Sequence, residues 1–320
     1  MKAAIYESYG PPDVVRLADI PKPVPDKDQV LVRVHASTVN RTDTGFRSAE
    51  YVISRLFSGL FHPNDPVLGS EFAGEIEDVG ADVTLFKPGD RIFGFDDGHF
   101  GGHAEYLCIS QHGGIATIPD GWSYAEAAPL AEGSHYALCN LRAAGVGAGT
   151  RILINGSTGA IGSAAVQLCA AMGADITAVC ATPHLELVRS LGAHRVVDYT
   201  KDDVVALGGE YDVVYDAVGK RRFRDFKSVL KPGGVYMSTE LGPRGENVWL
   251  GLIGLMHKRT RVLFPIPITT AEDIRYIRDL AVAGKFKPVI DRSYALSDIV
   301  EAHRYVEGGM KLGNVVIRIE

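Results

Sequence analysis

The chain has 320 residues, 46% of them hydrophobic and 22% charged, which suits two domains or one large one and excludes a disordered chain or a disulfide scaffold. A count of 33 Lys+Arg against 39 Asp+Glu leaves a net charge of −6 with no long single-sign run, which argues against a nucleic-acid binder. The four cysteines (Cys108, Cys139, Cys169, Cys180) lack a C-x-x-C pair or zinc-finger spacing and read as buried thiols of a reducing compartment. Met1 to Glu7 holds no apolar core of signal-peptide length, and the greasiest stretch, Val248 to Met256, is too short to span a bilayer. A cytoplasmic protein without membrane contact is expected.

The first 120 residues read as strands and turns. Val30 to Val34 alternates around apolar positions, after a spacer marked by Pro21, Pro23 and Pro25. Glycines then recur from Gly69 to Gly102, as in a β-rich domain with tight turns. Tyr124 to Ala144 is rich in Ala and Leu and predicts a helix. From Arg151 strands and helices alternate. Ile152–Ile154 is a short strand, and the helix after it carries Ile161, Ala165, Leu168, Cys169 and Met172 and stops at Gly173. Ile176–Cys180 is the next strand, followed by a helix with Thr182 as its cap, Pro183 in its first turn and Gly192 at its end. Val196–Val197, Val213–Tyr215 and Val235–Met237 are further strands. Such alternation predicts an α/β fold with a parallel sheet wound on both faces. A helix over 271–283, a strand over 288–294, a helix capped by Ser297 and a strand over 315–319 close the chain, with no clear place in that sheet.

The strongest motif is Asn155-Gly156-Ser157-Thr158-Gly159-Ala160-Ile161-Gly162, between a predicted strand and a predicted helix. Gly156 permits the turn, Gly159 admits a pyrophosphate to the backbone N–H groups, and Gly162 allows close helix–sheet packing. The helix N-terminus adds the positive end of a dipole. Dinucleotide binders selective for NAD commonly end the second strand in Asp or Glu, roughly 20 residues after the glycines. Here that stretch is Cys180-Ala181-Thr182-Pro183-His184, without a carboxylate before Glu186. The pattern favours NADPH, with Thr182 and His184 as donors to its 2′-phosphate.

Gly69-Ser70-Glu71-Phe72-Ala73-Gly74 followed by Gly80, then Lys87-Pro88-Gly89-Asp90-Arg91, Val39-Asn40-Arg41-Thr42-Asp43 and the glycine loop with Gln167, resemble the medium-chain dehydrogenase/reductases, in their zinc-free quinone oxidoreductase branch. The resemblance covers the whole chain. It implies a GroES-like β-rich catalytic domain over 1–122, a Rossmann doubly wound parallel sheet inserted after it over 123–270, and a C-terminal return to the catalytic domain over 271–320. Zinc alcohol dehydrogenases of this family carry Cys where this chain has Asn40, His where it has Ser70, and a second Cys near Leu130. Asn and Ser are poor zinc ligands, and only Cys108 lies between Gly89 and Pro119, so neither catalytic nor structural zinc is expected. The resemblance places Asn40 beside the nicotinamide and substrate. It also places Ser134 and Tyr136 near the nicotinamide amide, Tyr199 and His184 at the adenosine phosphate, and Ala217, Val218 and Phe264 facing the cofactor. His184 stands where many relatives have Lys.

Bland alternatives stand beside these. Tyr136 packs a helix or Tyr199 ends a strand; Glu71 reads as a structural carboxylate; Asp43 is either a catalytic candidate or a buried hydrogen-bond anchor. His35, His62, His99, His103 and His112 fit no metal spacing and read as loop and turn residues. No Y-x-x-x-K pair and no G-x-S-x-G elbow is present, against short-chain dehydrogenases and α/β hydrolases. The expected activity is NADPH-dependent hydride transfer to a small-molecule quinone or α,β-unsaturated carbonyl. Asn40 is the first donor to the developing oxyanion, with Tyr51 or Tyr136 as a second, and the proton comes from water. The stretch from Phe46 to Asn64 is either an apolar wall of the site or core. An NADPH-binding sensor with little turnover and a zinc enzyme with atypical ligands are the competing readings. Arg261 to Pro267 predicts an edge strand through which a homodimer would form, with Pro265 and Pro267 limiting its pairing.

Overall fold

Two short strands open the chain, β1 (Lys2–Ile5) and β2 (Arg16–Asp19), paired antiparallel. The proline-spaced segment leads into β3 (Gln29–Val39), and Asn40 then starts α1 (Arg41–Ser48). A short helix, α2 (Arg55–Ser58), precedes β4 (Glu71–Val79), β5 (Arg91–Phe95), β6 (Tyr106–Ser110) and β7 (Ile115–Thr117). This is a computed structural model; it describes residues 1–49, 55–242, 245–254 and 261–319, and it divides into two units, Met1–Glu132 with Thr269–Glu320, and Gly133–Ile268.

The helix predicted over 124–144 is broken. It consists of α3 (Tyr124–Ala127), a 3-10 turn over Ala128–Leu130 and α4 (Glu132–Ala144), with Pro129 at a non-helical φ of −82° and ψ of 17°. Proline has no N–H to continue the ladder and crowds the preceding turn. The break sets the unit boundary at Glu132 rather than 122, because α3 and the turn pack on β3 and β4. The second boundary falls at Ile268 rather than 270.

The second unit is a six-stranded parallel sheet. Its members are β8 (Arg151–Asn155), β9 (Asp175–Cys180), β10 (Arg195–Asp198), β11 (Tyr211–Asp216), β12 (Leu230–Ser238) and β13 (Arg261–Leu263), in the order β10-β9-β8-β11-β12-β13. The helices between them are α5 (Ala160–Met172), α6 (Leu185–Ser190), α7 (Phe223–Phe226) and α8 (Glu246–Gly254). Ile152, Leu153 and Ile154 are all fully buried, as a central parallel strand covered on both faces requires. β13 is an outer strand that stops at Leu263, two residues before Pro265, and Trp249 on α8 is exposed. Leu255 and Met256 of the apolar stretch lie outside the described residues. Thr182 does not cap α6: residues Thr182–His184 form a 3-10 turn, and the Thr182 hydroxyl donates to Asp198 instead.

The C-terminal segment completes the first unit's sheet. α9 (Ala271–Val282) packs on β7, β14 (Ile290–Ala295) pairs parallel with β15 (Asn314–Arg318), and α10 (Ile299–Glu307) lies between those two strands in sequence. Asp298 rather than Ser297 precedes α10, after a 3-10 turn. The sheet runs β14-β15-β3-β4-β5-β7, and β6 also pairs with β3. Gln29–Arg33 of β3 pairs with β6, while Ala36–Val39 pairs with β15, and the register against β4 shifts between Val34 and Ala36. His35 therefore sits in a strand, stacked on Tyr124 at 4.3 Å between ring centres, and not in a turn as expected. Phe46 meets the core against Phe100, whereas Leu60 and Phe61 are exposed; Tyr51 and Ile53 lie outside the described residues.

One core contact carries a test of stability. Arg47 on α1 is fully buried and pairs with Glu307 on α10, while its Nε and Nη1 have no partner among the described residues. Removing the carboxylate strands a buried charge, so Glu307→Ala is expected to cost about 3–5 kcal/mol. Arg47→Met fills similar volume without the charge and should cost less. Urea unfolding of the two variants compares them; equal losses would show that packing, not charge, dominates there.

Candidate active site

The glycine loop lies at the carboxyl ends of β8 and β11, where the strand order reverses, the place where open α/β sheets bind ligands. Gly156 has φ +86°, and a Cβ there would stand 2.1 Å from Val218 Cγ2. A Cβ on Gly162 would stand 2.0 Å from the Gly156 carbonyl oxygen. Around a Cβ on Gly159 there is nothing within 4 Å, so backbone approach is open at that residue. Gly159 is the N-cap of α5 and no side chain caps the helix, leaving the first-turn N–H groups of Ala160, Ile161 and Gly162 facing an anion's place. These residues fit a pyrophosphate.

Ser157 is a different case. Its hydroxyl donates to the Ile154 carbonyl at 3.0 Å and accepts from Val179 N–H at 3.1 Å, so it ties β8 to β9 and is fully buried. Its expected cofactor role is corrected to a structural one. Thr158 is half-buried beside it. At the switch point Asp216 accepts from Asn155 Nδ2 at 2.8 Å and from the N–H groups of Val218 and Gly219, and Ala217 N–H donates to the Asn155 carbonyl. Burial raises the Asp216 carboxyl above its ordinary value against those donors. Ser134 is buried, Tyr136 is half-buried with its ring tilted against His135, and Phe264 is half-buried just past β13.

At the end of β9, Cys180 is buried where a carboxylate would mark NAD selectivity. Tyr199 is 63% exposed, and its N–H holds the Cys180 carbonyl. Sequence reasoning missed Asp198, the strand partner of Cys180. Its carboxylate accepts from the hydroxyls of Thr182 at 2.5 Å and Thr200 at 2.7 Å, which hold it down at about 2. The Thr182 hydrogen is therefore spent on Asp198, which corrects its expected use as a phosphate donor. His184 remains half-buried beside the exposed face.

In the first unit a polar cluster is buried around Asn40. Asn40 is 3% exposed, and its Nδ2 faces Glu71 Oε2 and Glu132 Oε2, both at 3.0 Å, and Thr38 Oγ1 at 3.1 Å. Lys311 Nζ donates to Asn40 Oδ1 at 3.1 Å; an ammonium only donates, so this contact fixes which way the amide points. Ser70 and Thr42 donate their hydroxyls to Glu132, Thr38 donates to Glu71, and the N–H groups of Ala131 and Glu132 donate to Glu71 Oε1. Asp43 accepts from the N–H groups of Asn40, Gly69 and Ser70 and is fully buried, the anchor of the α1 entry. Burial raises Asp43 to about 6. Glu132 is pushed up to about 7 by burial and then by Asp43, and Glu71 is raised by burial and then by Glu132.

This geometry corrects the role expected of Asn40. An amide offers two N–H hydrogens, and those of Asn40 already have two carboxylates and the Thr38 hydroxyl as acceptors, leaving none for an oxyanion. Glu132 and Lys311 were missed. Glu132 had a signal, a lone acid in the apolar run Pro129-Leu130-Ala131, whereas Lys311 had none in its neighbourhood. The cluster does not fit zinc. It offers no Cys or His, the oxygens of its carboxylates Glu71 and Glu132 already accept from Thr38, Asn40, Thr42, Ser70 and two backbone N–H groups, and an ammonium lies against its central amide oxygen.

Residues 26–120 match the alcohol dehydrogenase GroES-like domain family and residues 191–317 the zinc-binding dehydrogenase family. The chain is 32% identical to a 2-methylene-furan-3-one reductase of Solanum lycopersicum, over 99% of this chain and 79% of that protein. It is 30% identical to a chloroplastic NADPH-dependent alkenal/one oxidoreductase of Arabidopsis thaliana, again over 99% and 79%. The solved quinone oxidoreductase of Coxiella burnetii superposes with a TM-score of 0.86 at 28% identity, covering 100% of this chain and 99% of that one. No helix among the described residues is long and apolar enough to cross a membrane. With a GroES-like unit, a six-stranded Rossmann sheet and relatives of this kind, the chain belongs to the medium-chain dehydrogenase/reductase superfamily, in its quinone oxidoreductase-like branch, a family of pyridine-nucleotide-dependent oxidoreductases.

Proposed function

We propose that the protein is an NADPH-dependent, zinc-free reductase of quinones or α,β-unsaturated ketones and aldehydes. The observation that carries this reading is the cluster of Asn40, Glu71, Glu132 and Lys311, in which an ammonium lies against Asn40, the residue that stands where the zinc enzymes carry a Cys ligand. The names of the relatives, a furanone reductase and an alkenal/one oxidoreductase, support the substrate class. The absence of a carboxylate at Cys180 and the exposed Tyr199 ring beside it support NADPH over NADH.

Bound reduced nicotinamide supplies the hydride. The chain's own part is to hold the pyrophosphate on Gly159 and the α5 N-terminus, to order the β11 end through Asp216, and to meet the charge that appears on the substrate oxygen.

Absorbance of NADPH, followed while quinones, 2-alkenals and alkenones are screened, tests the reading. Turnover with at least one class is expected, unchanged by chelators. Calorimetry should find NADPH bound more tightly than NADH by about tenfold, or 1.4 kcal/mol. A clear NADH preference, or activity lost on chelation and restored by zinc, would overturn the assignment.

A further inference from the structure

Every donor of the buried cluster can be accounted for except one. The hydroxyl hydrogen of Thr38 goes to Glu71, those of Ser70 and Thr42 go to Glu132, and the Asn40 amide hydrogens face Glu71, Glu132 and Thr38. Lys311, in the segment between α10 and β15, donates to Asn40 Oδ1 at 3.1 Å and to the Gly313 carbonyl at 2.5 Å. An ammonium has three N–H groups, and none of the described residues accepts from the third. Lys311 is half-buried, while Asn40, Glu71 and Glu132 behind it are buried.

The charged groups facing this ammonium come from four elements. Glu132 on α4, Glu71 on β4 and Asp291 on β14 favour its charge, and Arg41 on α1 opposes it. Asp291 is itself engaged, by Tyr305 at 2.6 Å and by Leu312 N–H at 2.9 Å. Burial outweighs the three carboxylates and lowers the amine to about 8. A lysine in that range gives up a proton near neutral pH, which an exposed one does not.

We propose that Lys311 is the proton donor of the reduction, its third N–H meeting the substrate oxygen on which negative charge develops. This rests on the function proposed above. As hydride adds to the β-carbon of an enone, the alkene π pair shifts and leaves an enolate oxygen. The Lys311 N–H bond breaks with its electron pair kept by nitrogen, an O–H bond forms, and the enol tautomerises to the saturated carbonyl. The neutral amine regains a proton from solvent. One hydride and one proton are consumed; the alkene is reduced and the nicotinamide oxidised.

Two measurements test the assignment. Competitive acetylation of the protein with acetic anhydride across a pH series, read by mass spectrometry, needs neither cofactor nor substrate. Lys311 should titrate near 8, against about 10.4 for exposed lysines. In steady-state assays with an enone that the wild type reduces, Lys311→Met should lose about 100-fold in kcat with KM for NADPH unchanged. Lys311→Arg keeps the positive charge, and therefore the fold, but does not release a proton near neutral pH, so it should stay slow. Wild-type kcat should fall as pH rises through the amine's value, and Lys311→Arg should lack that limb. Full activity in Lys311→Arg, or Lys311 titrating with the exposed lysines, would overturn the proposal alone. A wild type that reduces no enone or quinone would overturn the function and this proposal together.

Discussion

Replacing Glu132 by glutamine is expected to reverse the order of stability of variant and wild type as pH rises. Burial holds the Glu132 carboxyl at about 7 against an ordinary 4.5, so the folded protein keeps a proton that the unfolded chain releases. Between those two values the wild type loses stability as pH rises, by about 1.4 kcal/mol per unit for one proton. Above the folded value the loss is complete and constant. Its total is on the order of 3 kcal/mol. The amide of the variant would carry no charge at any of these pH values, so the advantage of Glu132→Gln over wild type should grow from about pH 5 to pH 7 and then level off. At the acid end the variant has no such gain and must hold the hydrogens of Asn40, Ser70 and Thr42 with one carbonyl oxygen, so it should be the less stable protein there. Urea unfolding of both proteins across that range reads the difference directly. Parallel profiles would mean that Glu132 is ionised in the folded state and that Glu71 or Asp43 carries the proton.

A second large effect is expected in the glycine loop, where two alanine substitutions should part company. At Gly162 the new methyl would stand 2.0 Å from the Gly156 carbonyl oxygen, 2.9 Å from its carbon and 3.1 Å from Ser157 Cα. All three are backbone atoms, so no rotamer change relieves the contact and the loop must move. Gly162→Ala should lose about 1–3 kcal/mol of stability, as overpacked sites do. Because the moving loop is the one that would hold the pyrophosphate, dinucleotide affinity should fall by about tenfold or more. At Gly159 a methyl meets nothing within 4 Å of the protein, so Gly159→Ala should melt as the wild type does. The same methyl occupies the side from which a phosphate approaches the backbone, and binding should weaken without loss of fold. Calorimetric titration together with thermal unfolding separates the two. If Gly162→Ala binds and melts normally, the close approach of α5 to β8 is not what positions the loop.

Much of this architecture was legible along the chain because the signals are local. Ile152 to Ile154, then Asn155-Gly156, then the apolar face of α5, place strand, turn and helix N-terminus within about twenty residues. β13 forms within the apolar stretch where the sequence predicts a strand, and it ends at Leu263, ahead of Pro265. The errors were local too. Pro129 breaks the 124–144 helix, and Thr182 and Ser297 sit in 3-10 turns ahead of α6 and α10, because a good capping residue does not say whether the first turn is tight or regular.

The helices α1 and α2 went unread among the strands and turns of the first 120 residues. The chain by itself determined the alternation of strands and helices from Arg151 on, the family, the glycine loop between β8 and α5, and the residues Asn40 and Ser70 at the zinc-type positions. Only the tertiary structure decided what those residues do. Asn40 meets Glu132 across 92 residues and Lys311 across 271, because β15 pairs with the second half of β3 and the turn at Pro129 brings Glu132 under β4. Thr182 meets Asp198 because β9 and β10 end side by side. A buried amide spends its hydrogens on whichever acceptors the fold places within 3 Å, and neighbours that far apart in sequence leave no mark on the residues around it.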